Sequence, residues 1–93
     1  MPIIWRDSAD KHDIPHEDAL HAMAEHYVYE PHYDDSRVKT DVKPGLWVGP
    51  PRQLGGPLIE VMAELIAPNT IDVFHVMEAS PRHLALLEEG DPA

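Results

Sequence analysis

Two apolar runs separated by a short polar break constrain this chain more than any other feature. They are Leu58-Ile59-Glu60-Val61-Met62-Ala63-Glu64-Leu65-Ile66 and Ile71-Asp72-Val73-Phe74-His75-Val76-Met77, on either side of Pro68-Asn69-Thr70. The first run fits a helix, with Leu58, Val61, Met62 and Leu65 in one stripe. It equally fits a strand, with Ile59, Val61, Ala63 and Leu65 on one face and Glu60 and Glu64 on the other. Periodicity does not separate the two. The second run is rich in β-branched residues and follows a tight turn, so the pair predicts a β-hairpin. On its second strand, alternation puts His75 on the face of Val73 and Met77.

The flanking sequence adds elements to that hairpin. Ile3-Ile4-Trp5 predicts a short first strand, followed by a polar stretch from Asp7 to Asp13. Pro15 suits a helix start, Glu17 and Asp18 favour its positive end, and Leu20, Met23 and Tyr27 recur at helical spacing. These signals predict a helix over 16–28 that is broken by Pro31, with Ile14 packing back on its first turns. Between Pro44 and Pro57 the Pro and Gly content predicts a loop with at most one short strand, supplied by Trp47-Val48 beside the hairpin. A last helix is announced by Ser80 as cap, Pro81 at the first position, Leu84 and Leu87 on one face and Gly90 as stop. The expectation is a single α+β domain over 1–93, with a small antiparallel sheet and two helices packed on it.

Charge narrows the function classes. The 93 residues carry 17 acidic against 7 basic side chains, a net charge of −10. Residues 1–36 sum to −7 and residues 58–93 to −6, while 37–57 sum to +3. Nucleic-acid binders gain affinity by neutralising phosphates with Lys and Arg, so this balance argues against one, and against anionic membranes. No apolar run approaches the ~18 residues of a membrane span, and the N-terminus lacks a signal-peptide pattern. The absence of cysteine excludes disulfides and thiolate chemistry, and a cytoplasmic protein is expected.

The seven histidines invite a metal reading, but their spacing does not support one. His16-Glu17 is followed by His21, with Leu20 where a zinc-protease helix needs its second ligand. His12 and His16 are separated by Pro15, and His21 with Glu25 supplies two ligands only. Asp34-Asp35 lacks the ligand alternation of a calcium loop. No metal or other cofactor is therefore expected. No serine lies in a nucleophile elbow, and Gly55-Gly56 is followed by no lysine that would complete a phosphate loop. Metal-free RNA cleavage requires a base, an acid and a cation for the phosphate. Lys11, His12, His75, Arg82 and His83 contain those groups.

The order of these motifs resembles the BrnT-type toxins of the RelE/ParE superfamily. Trp5, Lys11-His12-Asp13-Ile14 and Glu17-Asp18-Ala19 match the opening strand, the Lys-His-Gly-Val-like turn and the helix after it. His75-Val76-Met77-Glu78-Ala79-Ser80 stands where the family has an Arg-Ile-Ile-Ser-Ala-Arg-like strand ahead of a helix. The resemblance implies the family's fold and RNA cleavage held in check by an antitoxin. His75 and Ser80 replace the two arginines, however, and Glu78 adds a negative charge beside them. The expected function is therefore a non-enzymatic, toxin-like protein-binding module, of the kind some phage-encoded inhibitors use to disable a host protein. Its expected partner is a protein with a basic surface, held by Trp47, Arg52, Tyr29 and Tyr33, since Trp, Tyr and Arg anchor most interfaces. The alternative is a BrnT-type ribonuclease working through Lys11, His12, His75, Arg82 and His83.

Overall fold

A computed structural model describes residues 2–31, 44–66 and 68–89. The chain order is β1 (Ile3–Trp5), α1 (Asp7–Asp10), α2 (His16–Ala24), β2 (Val28–Glu30), β3 (Gly45–Gly49), β4 (Ile59–Ile66), β5 (Thr70–Glu78) and α3 (Pro81–Glu89). The five strands form one sheet in the order β1-β5-β4-β3-β2. This is a small α+β fold, but its sheet is mixed and it has three helices among the described residues, where an antiparallel sheet with two helices was expected. All neighbours are antiparallel except β1, which runs parallel to β5 with Ile3 opposite Ile71 and Trp5 opposite Val73. A parallel neighbour requires a long return of the chain, and β1 and β5 are the two strands furthest apart in sequence.

Both faces of the sheet are covered, which the alternation of its strands permits. Ile59, Val61 and Ala63 of β4 share one face with Trp47, Val73 and Val76 and pack with Ala9 of α1 and Ala19 and Ala22 of α2. Leu46, Val48 and Met62 point the other way, with Leu84, Leu86 and Leu87 of α3 packed against them. The α2 side is packed to the backbone. A Cβ on Gly49 would sit 2.2 Å from the carbonyl oxygen of Ala22, so only glycine allows this approach of helix to strand. The N-terminal strand is tied in by Arg6, whose Nε and Nη2 donate to the two carboxylate oxygens of Asp72 at 2.8 and 2.5 Å. That guanidinium holds the Asp72 carboxyl below its usual range.

The hairpin, the first strand and the C-terminal helix form where the sequence predicts them. The helix predicted over 16–28 instead ends at Ala24, and Val28–Glu30 pairs antiparallel with β3. Val28 and Tyr29 are strand formers, and the open edge of β3 gives them a ladder, which outweighs a helical spacing that only Tyr27 extended. Asp7–Asp10 folds as a helical turn rather than staying irregular.

Trp47, expected among the residues that hold a partner, is a core residue. It sits on β3, between β2 and β4, with 8% of its surface accessible. Its ring stacks on Tyr29 at a centroid distance of 4.9 Å. The five residues of β3 are buried from end to end, because a central strand covered on both faces needs no polar alternation. Trp47→Ala is accordingly expected to cost stability, about 3–5 kcal/mol for a core aromatic, read as a lowered urea midpoint with an unchanged slope. A midpoint within experimental error of the parent would place the indole outside the core.

Candidate functional site

The feature that organises this region is a carboxylate where a charge is hardest to keep. Glu60 lies on β4 between the sheet and α3, and its side chain is wholly buried. As a strand residue it was expected on a polar face with Glu64, but α3 covers that face. A buried carboxylate persists only when its oxygens are satisfied by donors. Here Oε2 accepts from Nε2–H of His75 at 2.6 Å. Oε1 accepts from the backbone N–H of Ser80 and from Nδ1–H of His83, each at 2.8 Å. Burial pushes the Glu60 carboxyl upward, but the His75, Ser80 and His83 hydrogen bonds together outweigh it and bring its pKa down to about 2. The carboxylate is thus ionised at neutral pH and can only accept, so both imidazoles must direct an N–H at it.

An irregularity in the ladder brings His75 to that carboxylate. Met62 pairs with His75, but the next residue of β4, Ala63, pairs with Val73, leaving Phe74 as an extra residue on β5. This is a β-bulge, and it breaks the alternation that would put His75 on the face of Val73. Val73 keeps its place under α1 and α2, whereas His75 lies opposite Met62 on the α3 side, diagonal to Glu60. Its side chain remains 19% accessible.

The same stretch of β5 receives a second histidine. β1 pairs with β5 only as far as Val73. From there Arg6 N–H donates to the Val73 carbonyl at 2.9 Å, and the Ser8 hydroxyl of α1 donates to the Phe74 carbonyl at 2.5 Å. α1 therefore continues along the edge that β1 leaves, and the turn after it carries Lys11 and His12. The His12 ring meets the His75 ring nearly edge-on, with centroids 6.5 Å apart and planes at 76°. Asp13 closes this turn with a φ of 58°, in the left-handed region that asparagine and aspartate tolerate better than most residues.

Of the residues singled out by sequence, His12 and His75 come together. Lys11 and Arg82 are exposed beside His12 and His83 in the chain. His83 is fully buried against Glu60, so it cannot reach a substrate as the ribonuclease reading required. Glu60 was not singled out at all; the signal that would have found it is a lone acid in a strand that must face a covering helix. Arg52 is pinned to α2, with its Nε donating to Asp18 Oδ1 at 2.7 Å and its backbone N–H to the same oxygen at 3.2 Å. Tyr29 stays partly exposed on the edge strand β2, and Tyr33 lies outside the described residues, as does Asp34-Asp35.

The other described histidines have local tasks. His16 stacks on Trp5 at 3.8 Å and bonds Asp10 at 2.6 Å. His21 Nδ1 bonds the Pro50 carbonyl at 2.9 Å, and His26 Nδ1 bonds the Met23 carbonyl at 2.7 Å. Among the described residues, no group of three or more His, Asp or Glu side chains is arranged to hold a metal ion.

A carboxylate whose folded pKa is depressed stabilises the fold above its unfolded pKa and ceases to as pH falls through the folded one. For Glu60 that window runs from 4.5 down to about 2. Across it the parent is expected to lose denaturation midpoint more steeply than Glu60→Gln; parallel pH profiles would mean that the carboxylate is not held by these donors. Searches against protein-family models, curated proteins and solved structures find no significant match to this chain.

Proposed function

We propose that His75 and His12 form a general acid–base pair and that the chain cleaves RNA without a metal. The observation that carries this is the Glu60–His75 hydrogen bond. It holds the imidazole by Nε2 and leaves Nδ1 with no hydrogen-bond partner among the described residues, on a ring that is partly accessible and lies 6.5 Å from that of His12. A carboxylate-oriented histidine beside a second histidine is the minimal equipment for proton transfer at a phosphodiester. His75 Nδ1 takes the proton of a ribose 2′-hydroxyl, and the 2′-oxygen forms a bond to phosphorus. The bond from phosphorus to the 5′-oxygen breaks, and the protonated His12 returns a proton to that oxygen. The products are a 2′,3′-cyclic phosphate and a 5′-hydroxyl.

RNA as the substrate follows from the resemblance to BrnT-type toxins. Asp13 supports that resemblance: it stands where the family's turn has glycine, and it has the left-handed backbone that glycine adopts most readily. Among the described residues, Lys11 and Arg82 are exposed cations outside the Arg6 and Arg52 ion pairs and would meet the phosphate. With a net charge of −10 the chain is expected to bind RNA weakly, so its rate is limited by capture rather than by proton transfer.

The test is incubation of purified protein with RNA, with the ends of the products identified. Cleavage to cyclic-phosphate ends is expected, with His75→Ala lowering the rate by about 10²–10⁴. RNA left intact by a stoichiometric excess of protein, or cut equally by His75→Ala, would refute the assignment.

A protein-binding role retains one supporting observation. Tyr29 is 38% exposed on the edge strand β2, next to the still more exposed Tyr27. Edge strands with aromatic side chains suit strand addition by an extended partner. Under this reading Tyr29→Ala weakens capture of a basic protein partner from the native host at least about tenfold, as for an interface anchor. Unchanged capture by that variant would remove Tyr29 from the interface.

A further inference from the structure

We propose that His83 is a positioning residue: from the buried side of Glu60 it fixes the carboxylate so that His75 is held with Nε2–H inward and Nδ1 outward. Its importance for catalysis rests on the acid–base reading above, but its geometry does not. A carboxylate has two oxygens related by a rotation of its last torsion, and either could receive His75. Oε1 already accepts from Ser80 N–H and His83 Nδ1–H, which occupies both of its lone-pair directions. Oε2 is the oxygen that His75 Nε2 reaches, at 2.6 Å. The donors on Oε1 come from the start of α3, so docking of that helix sets the plane in which the carboxylate faces β5.

Stability alone does not account for a histidine in this place. The residue is fully buried on α3, the helix whose leucines pack on the sheet, where an apolar side chain would ordinarily be expected. A buried polar pair seldom improves on well-packed apolar residues in stability, and its attested benefit is a unique arrangement. The arrangement fixed here is the tautomer of His75. With Nε2–H donated to an ionised carboxylate, the neutral ring has its unprotonated nitrogen at Nδ1.

The experiment is long-range ¹H–¹⁵N correlation NMR of the histidine rings in the uniformly labelled full chain, at a pH where His75 is neutral. In the parent protein His75 is expected to be Nε2-protonated by at least about tenfold over the other tautomer. In His83→Leu that preference is expected to fall several-fold, and in His83→Asn, whose side-chain N–H occupies nearly the place of Nδ1–H, to return. If His83→Leu does not fold, His83→Thr, whose hydroxyl is too short to reach Oε1, takes its place. The inference is overturned if His75 in the parent protein carries its proton on Nδ1, or if its tautomer ratio is the same in all folded variants. A tautomer shift in a protein that leaves RNA intact would uphold the positioning role and dispose of the ribonuclease reading alone.

Discussion

The structure is organised around one ionised carboxylate kept out of water. Glu60 is tolerated inside because three N–H groups from two elements converge on it: one from the bulged strand β5 and two from the start of α3. Each of them offsets part of the cost of holding a charge in a low-dielectric setting. The network therefore couples three things that the chain separates, namely the register of the central hairpin, the docking of the last helix and the orientation of His75.

The bulge is the geometric counterpart of that network. A regular hairpin would have aligned His75 with Val73 beneath α1 and α2, and the carboxylate would have faced α3 without it. One extra residue, Phe74, moves His75 to the other face while Val76 is returned to the first. It also falls where β1 stops pairing and α1 takes over the edge of β5. A strand edge freed at that point is what lets a turn carrying His12 come within 6.5 Å of the ring. Bulges often re-aim side chains next to sites in this way.

The charge pattern acts on a different scale. The acidic excess does not build the fold, and its two best-formed local pairs, Arg6–Asp72 and Arg52–Asp18, each consume one of the few cations. Among the described residues, Lys11 and Arg82 are the cations outside those pairs.

The first run of the hairpin fits helix and strand alike and is decided by the turn and strand that follow it, whereas local signals sufficed for the elements whose residues agree at every level: the second run of the hairpin, the strand at Ile3–Trp5 and the helix between Pro81 and Glu89. There, side-chain shape, alternation and the flanking prolines all favour one backbone, so the chain needs no distant partner to choose. The fate of Tyr27–Glu30, the burial of Trp47 and the inward face of Glu60 depended on partners far away in sequence. Val28–Glu30 became strand because β3 offered an edge, Trp47 became core because α2 and two neighbouring strands closed around β3, and Glu60 became buried because α3 returned over its face. The bulge belongs to this second group as well. Alternation is a two-residue rule, and nothing within β5 itself reports that the opposite strand is one residue shorter.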